Sequence, residues 1–221
     1  MNTMNFVARR ALFITGSALI SSQILSGCVP LIVGGAVLGG TLVATDRRTS
    51  GAQLEDEGIE LRTVNRLREA FLERVHINAT SYNRQVLLTG EVPTEADKQR
   101  AQEIVSRVEN VRSIVNELAV LGNTSLTSRS ADALTTGRVK AGFVDAKDLY
   151  ANAFKVVTER GTTYLLGRVT QREAGRATEI TRNTSGVLRV VRVLEIISEE
   201  ELLRLLPQPP KPGTGPAPVG G

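Results

Sequence analysis

The apolar residues between positions 55 and 198 follow patterns typical of two kinds of secondary structure. Val64, Leu67 and Phe71 recur at the spacing of one face of an amphipathic helix. Residues 77–81 and 85–89 are short runs with strand character on either side of a brief connection, which predicts a β-hairpin. This part of the chain is therefore predicted to form a helix followed by two strands.

A second helix and a final strand complete the pattern. Residues 93–95, Pro-Thr-Glu, predict a helix start, because proline in the first turn gives up an N–H that would have no partner there. Residues 104–108 supply the apolar stripe of this helix, and residues 111–121 predict the last strand. The predicted order is helix, strand, strand, helix, strand.

The same order recurs in the second half of the chain. Residues 86–92 match residues 163–169 at an offset of 77, and the first helices align at an offset of 72, which pairs Phe71 with Phe143. Two long copies with small insertions indicate two related domains, because a solenoid is built from a larger number of shorter repeats.

Each copy is predicted to be a small α+β domain, the first at residues 55–122 and the second at 123–198. Two helices in each would cover one face of a three-stranded mixed sheet. In the second copy, Thr170 and Glu173 have the spacing of a capping box, which predicts the start of its second helix.

The N-terminus has the order of an export signal. Arg9 and Arg10 precede an apolar run at residues 11–20, and small residues lead to Leu25-Ser26-Gly27-Cys28. This last sequence resembles a bacterial lipobox, which implies a signal peptide at residues 1–27 and a diacylglyceryl group on the Cys28 thiol. The alternative is a buried cysteine within an uncleaved apolar anchor. The paired arginines also resemble a twin-arginine signal, although the general export route is favoured.

Two further segments lie outside the repeats. Residues 28–54 are predicted to form a lipidated tether, because the Gly-rich run at 31–43 is too short to cross a bilayer and its four glycines disfavour a helix. Residues 199–221 are predicted to form a short helix followed by a disordered tail rich in proline and glycine.

These features together resemble a known family. The order helix-strand-strand-helix-strand, the Leu-Leu-x-Gly-x-Val sequence at residues 87–92 and the lipobox are similar to the dual BON-domain outer-membrane lipoproteins of proteobacteria. The resemblance implies a non-enzymatic protein that binds phospholipid at the periplasmic face of the outer membrane and preserves the barrier. Val29, which stands where aspartate would signal retention, implies transfer to the outer membrane.

Charge distinguishes the two copies. Residues 51–122 hold 9 basic and 12 acidic side chains, a net charge of −3, whereas residues 123–197 hold 12 and 7, a net charge of +5. Anionic bilayers attract basic segments. We therefore expect the second domain to contact anionic phospholipid, the alternative being an ordinary solvated basic surface.

The first helix of the second domain supplies a candidate face. If Thr136, Val139 and Phe143 form its core stripe, the opposite face presents small and apolar residues flanked by two cations, and Lys147 could assist from the following loop. The predicted lipid-binding residues are Leu134, Gly137, Arg138, Lys140, Ala141 and Lys147. The first copy has Arg62 where the second has Leu134. The alternative for Leu134 is packing against the other domain.

Composition limits the remaining functions. One cysteine and one histidine exclude a disulfide framework and a cysteine-based zinc site, and an aromatic content of 4% disfavours a base-stacking surface, so no nucleic-acid partner is expected. No catalytic residue, metal ligand or cofactor is predicted. His76 is interpreted as a boundary residue and Glu55-Asp56-Glu57 as a solvated helix start. The alternative function is a periplasmic adaptor that binds outer-membrane assembly proteins or peptidoglycan during envelope stress.

Overall fold

The computed structural model describes residues 46–205. The predicted signal peptide, Cys28, the tether up to residue 45 and the tail from residue 206 lie outside the described residues. Among the helices between residues 46 and 205, none has the length and apolar character needed to cross a bilayer.

The first domain contains two helices and one mixed sheet. Helix α1 (Ser50–Phe71) precedes the antiparallel hairpin of β1 (His76–Tyr82) and β2 (Gln85–Val92), and α2 (Glu95–Ser106) leads to β3 (Ser113–Asn116) and β4 (Ala119–Val120). Both β3 and β4 pair with β2 in parallel. The single final strand predicted at 111–121 is thus interrupted at residues 117–118, where Leu118 turns into the core and is only 2% exposed.

The second domain repeats this arrangement. Helix α3 (Leu126–Asp145) precedes the antiparallel pair β5 (Phe154–Glu159) and β6 (Thr162–Thr170), and α4 (Gln171–Arg182) leads to β7 (Arg189–Ile197), which is parallel to β6. A short helix, α5 (Glu199–Leu205), follows. The predicted capping box of Thr170 and Glu173 is confirmed. The α+β prediction with two repeated domains and mixed sheets is also confirmed.

Helix α1 begins earlier than the sequence pattern indicated. The Thr49 side chain accepts a hydrogen bond from the Ala52 N–H and caps the helix, so residues 50–54 are helical. The last five residues of the predicted tether, 50–54, are thus part of this helix. Polar residues dominate the first turns of α1, and for this reason the apolar spacing did not reveal them.

An aspartate on the first helix of each domain fixes the adjacent hairpin. The Asp56 carboxylate accepts hydrogen bonds from the Asn83 and Arg84 N–H groups at 2.7 and 2.8 Å. The Asp132 carboxylate accepts from the Arg160 and Gly161 N–H groups at 2.8 and 2.9 Å. Asp56 is 1% exposed, so the interpretation of residues 55–57 as a solvated helix start is wrong at this position.

The two aspartates also establish how the first helices correspond. Asp56 and Asp132 are 76 residues apart, and at this offset every buried position of α3 falls on a buried position of α1, with Leu67 matching Phe143. The sequence alignment at an offset of 72 was wrong by four residues. A shift of four residues leaves apolar positions on the same helical face, so the pattern alone could not expose the error.

The glycine of the hairpin motif has a steric role in both domains. A Cβ on Gly90 would lie 2.0 Å from the His76 carbonyl oxygen, and one on Gly167 would lie 2.5 Å from the Ala153 carbonyl oxygen. Any larger residue would force the first strand of the sheet away from the second.

The central strands bury both of their faces. Val86 and Leu88 of β2 pack against α1 and α2, whereas Leu87 faces the other way. In β6, Leu165 packs against the helices of the second domain, and Tyr164 and Leu166 join Leu87 in a third apolar cluster. The two sheets thus pack against each other through their helix-free faces, giving four layers in the order helix, sheet, sheet, helix.

The segment before α1 also links the domains. The Arg47 guanidinium donates to both carboxylate oxygens of Glu173, at 2.6 and 2.8 Å, and to the Arg168 carbonyl oxygen at 2.9 Å. Burial raises the pKa of the Glu173 carboxyl, but hydrogen bonds from Arg47 and Thr170 outweigh that effect and hold the pKa below its usual value. Along the chain, the contact with the second domain therefore comes before the first element of the first domain.

The role of Asp56 leads to a stability prediction. Asp56→Asn removes the charge and one acceptor oxygen, leaving a buried N–H without a partner, and should lower the free energy of unfolding by about 3 kcal/mol. Asp145→Asn is the control, because Asp145 is exposed at the end of α3, and should change it by less than about 0.5 kcal/mol. Urea denaturation of the 45–206 fragment measures both changes.

The difference in free energy of unfolding between wild type and Asp56→Asn should also depend on pH. Burial raises the pKa of Asp56, but hydrogen bonds from the Arg84 N–H, the Ser81 hydroxyl and Arg48 lower it more, so the folded-state pKa lies below the ordinary value. The stabilisation is complete above the unfolded-state pKa of about 4 and is lost as the pH falls through the lower folded-state pKa. A difference that grows on acidification would contradict this assignment.

Candidate functional site

Helix α3 presents an apolar stripe to solvent. Its buried residues are Asp132, Thr135, Val139 and Phe143. Thr136, which the sequence pattern assigned to the core, is only partly buried, and Thr135 occupies that place instead. The outward face carries exposed residues in a line along the helix: Leu126, Leu134, Gly137, Ala141 and Val144.

Leu134 lies in the middle of this stripe. Its exposed fraction is 63%, and Val144, about three turns further along, is 72% exposed. Leu134 therefore does not pack into the interface between the two domains, which was the alternative role considered for it. Val144 was not identified from the sequence.

Cations flank the stripe on both sides. Helical geometry places Arg138 on one side of Leu134 and Lys140 on the other, and Lys147 lies in the loop after α3. All three side chains are exposed, and none forms a salt bridge with any residue in the 46–205 range. Their charges are therefore available to an anionic partner.

One side of the stripe opens into a groove. The groove, hereafter the Leu134 groove, has a volume of about 490 Å³ and lies between α3, the β5–β6 turn and the loop before β7. The structure brings Leu134 and Arg138 together here with Arg160 and Leu188. Gly137, Lys140, Ala141 and Lys147 lie outside it, on the remaining surface of α3 and its following loop.

Arg160 and Leu188 were missed at the sequence level. Leu188 is 85% exposed, so it belongs to no apolar periodicity. Arg160 is the turn residue whose N–H donates to Asp132, and this bond holds the turn beside α3. The one sequence signal that could have placed the β5–β6 turn beside α3 is the aspartate that both first helices carry at the same position, Asp56 and Asp132.

The corresponding surface of the first domain differs. At the structural offset of 76, Gly58 takes the place of Leu134 and Arg62 takes the place of Arg138. Arg62 donates to the Glu55 carboxylate at 2.7 Å, so its charge is already paired. The correspondence of Leu134 with Arg62 that the sequence alignment suggested is wrong, but the first domain still lacks the apolar residue.

Comparison with protein families gives two matches on this chain. The model of the BON domain matches residues 55–122 and again residues 131–198. Together these segments cover both sheets and most of the helices that pack on them.

Curated relatives cover most of the chain as well. The Outer membrane lipoprotein DolP of Haemophilus influenzae is 38% identical over 176 residues, which is 78% of this chain and 90% of that protein. The 21 kDa hemolysin of Actinobacillus pleuropneumoniae is 32% identical over 154 residues, 69% of this chain and 79% of that protein.

A solved structure of CdsD, a structural protein of the type III secretion system of Chlamydia trachomatis, matches with a TM-score of 0.28. It shares 15% sequence identity, and the match covers 69% of this chain and 96% of that one.

Because the two leucines of the groove are exposed, substituting them should affect stability less than substituting a buried leucine. Leu134→Ser and Leu188→Ser should each change the free energy of unfolding by less than about 0.5 kcal/mol, because neither side chain is buried. Leu165→Ala, at a fully buried position, should cost about 2–5 kcal/mol. Denaturation of the 45–206 fragment tests all three variants. If Leu134→Ser lowered the free energy of unfolding by more than about 1 kcal/mol, the loss would be that of a packed contact. Leu134 would then not be a surface residue.

Proposed function

Because the chain belongs to the BON-domain family, we propose that it is a lipoprotein of the outer membrane, anchored through Cys28, that binds anionic phospholipid through its second BON domain. Its relationship to an outer-membrane lipoprotein over most of both chains supports the compartment. The role proposed for it is non-catalytic: it holds a folded double domain at the periplasmic face and helps maintain envelope integrity.

The observation that supports the lipid site most strongly is the composition of the Leu134 groove. Two exposed leucines and two arginines share one open surface, and the arginines come from different elements, α3 and the β5–β6 turn. A phospholipid headgroup offers a phosphate beside glycerol and acyl carbons. Arginine suits the phosphate because its guanidinium can donate two parallel hydrogen bonds.

The neighbouring stripe extends this contact across the membrane surface. Leu126 and Val144 could enter the headgroup region beside Leu134 while Lys140 meets a second phosphate. Each near-surface cation contributes about 1 kcal/mol on an anionic bilayer. The chain has no tryptophan, so charge should supply a large share of the affinity and binding should weaken as salt is added.

The anchor and the proposed face can reach the same membrane. Cys28 and Asp46 are 18 positions apart in the sequence, and a chain of that length spans at most about 60 Å. Arg47 is bound to Glu173 in the second domain, so the chain leaving the anchor meets that domain first. This connection keeps the lipid-binding domain at a high local concentration near the bilayer.

Vesicle binding tests the proposed lipid face. Residues 46–205 carry both cores, the interface and the helix caps, so the 45–206 fragment without its anchor is suitable. It should co-sediment with phosphatidylglycerol vesicles and not with phosphatidylcholine vesicles, and binding should fall as salt rises. Arg138→Glu combined with Leu134→Asp should reduce binding by at least about tenfold, since it reverses one cation and removes one apolar contact.

Arg68→Glu is the matched control, because Arg68 is an exposed arginine on α1 of the first domain. It makes the same change of charge as Arg138→Glu alone, a reversal of one cation, and should leave binding within about twofold if the second domain forms the site. Equal losses in the two variants would mean that net charge alone is responsible. Unchanged binding in the double variant would favour the adaptor function, with the same surface meeting an assembly protein or peptidoglycan.

Lipid anchoring has its own test. Cys28→Ser in the full chain removes the sulfur that would be acylated, so the protein should no longer fractionate with the outer membrane and should become soluble in the periplasm. Wild type should remain membrane-bound after a high-salt wash, because acyl chains resist salt. A serine variant that still fractionates with the outer membrane after this wash would contradict anchoring through Cys28.

A further inference from the structure

Three side chains that the lipid site does not use meet where the two domains join. His76 is the first residue of β1, Glu91 lies opposite it on β2, and Glu159 is the last residue of β5 in the second domain. One nitrogen or oxygen atom of each lies within 4.8 Å of the others. His76 Nδ1 is 3.0 Å from Glu91 Oε2 and 4.0 Å from Glu159 Oε1.

The group is largely removed from solvent. The side chain of Glu91 is fully buried, that of Glu159 is 8% exposed, and that of His76 is 15% exposed. His76 therefore provides the route by which a small ion could enter. Sequence spacing could not indicate this group, because Glu91 is 15 residues from His76 and Glu159 is 83 residues away.

Glu91 has one satisfied oxygen and one unsatisfied oxygen. Oε2 accepts hydrogen bonds from His76 Nδ1 and from the Thr124 N–H and hydroxyl, at 3.0 to 3.2 Å. Oε1 accepts no hydrogen bond from any residue between 46 and 205. The Arg160 guanidinium forms an ion pair with Oε1 at 3.7 Å, which is beyond hydrogen-bonding distance. A fully buried carboxylate oxygen without a hydrogen-bond donor is uncommon, and it leaves Glu91 able to bind an additional ligand.

The charges of the group are also unbalanced. Two carboxylates lie beside a single imidazole, and the Arg160 guanidinium, 3.7 Å from Glu91 Oε1, supplies one positive charge against their two negative charges. A divalent cation would offset both negative charges at once.

We propose that His76, Glu91 and Glu159 bind a zinc ion that connects the two BON domains. Nitrogen and oxygen ligands lie about 2.0–2.2 Å from zinc, so neighbouring ligand atoms in a tetrahedral site are about 3.4 Å apart. The observed separations of 3.0 and 4.0 Å lie on either side of that value. All three candidate ligand atoms lie within 4.8 Å of one another, so shifts on the order of 1 Å would form the site, and water would complete the coordination.

The surroundings fit a ligating histidine. Asn78 Nδ2 is 3.3 Å from His76 Nε2 and 3.0 Å from Glu159 Oε2, so one amide orients two of the ligands. In this arrangement Nε2 accepts from Asn78, and Nδ1 holds the proton that it donates to Glu91. On zinc binding the Nδ1 proton is released to solvent and Nε2 takes up a proton from water, so the imidazole remains neutral. Nε2 then donates to water, since His76 is partly exposed, and Asn78 keeps its hydrogen bond to Glu159.

Zinc binding is testable directly because His76 is the only histidine in the chain. The full chain, purified in detergent without a histidine tag, is titrated with Zn²⁺ against a competing chelator. We expect one ion per chain. In long-range ¹H–¹⁵N NMR spectra the single set of imidazole resonances should move on zinc addition, with the larger shift at Nδ1. Unmoved resonances would overturn the proposal whatever the behaviour of any variant.

Substitutions then identify the other ligands. His76→Gln and Glu159→Gln should each weaken zinc binding by at least about tenfold. Arg160→Gln is the matched control from the same turn: it removes a competing positive charge and should bind zinc at least as tightly. Cys28→Ser should bind as wild type does, which excludes the thiol as the ligand. Equal zinc affinity in wild type and His76→Gln would overturn the site.

Zinc should also stabilise the assembled double domain. The melting temperature of the wild-type full chain should rise with zinc concentration, because the ion binds only the folded state in which both domains contribute ligands. The melting temperature of Glu159→Gln should not respond. A similar rise in both proteins would mean that zinc acts elsewhere.

Discussion

The packing of the two sheets through their helix-free faces is the interaction on which the rest of the structure depends. A BON unit of about 70 residues has helices on one side of its sheet only, and the other side carries apolar residues such as Leu87 and Leu166. Left exposed, each such side chain would forfeit about 1.5–3 kcal/mol of burial. The second copy covers this face, so each domain completes the other.

Close packing of this kind fixes the polar groups at the edges of the interface. Arg112 of the first domain faces Glu195 of the second, and Arg189 of the second domain faces Glu117 of the first. Arg47 adds a buried connection to Glu173 from the segment before α1. The two pairs with exposed arginines, Arg112–Glu195 and Arg189–Glu117, align the two sheets more than they stabilise them, because exposed ion pairs contribute about 1 kcal/mol or less. His76, Glu91 and Glu159 acquire their geometry from the same alignment.

The different constraints on the two faces of the first helices explain why only one domain carries the candidate lipid face. Both first helices need an aspartate for the hairpin and residues that pack into the core, so the same positions of their inward faces are buried. The outward faces have no such constraint. There, Leu134 and the unpaired Arg138 replace Gly58 and the paired Arg62, and the net charge changes from acidic to basic.

The sequence by itself determined the two α+β repeats, the order of their elements, the capping box at Thr170 and the outward position of Leu134, since all of these follow from local periodicity and capping. Predictions from the sequence were wrong or silent on features that periodicity cannot specify. A four-residue shift preserves a helical face, so the register of α1 against α3 required the contact between Asp56 and its hairpin. Only the tertiary structure placed Arg160 and Leu188 beside Leu134, and Glu159 beside His76. These residues come from separate elements, and their proximity results from packing between sheets and helices, which leaves no regular spacing along the chain.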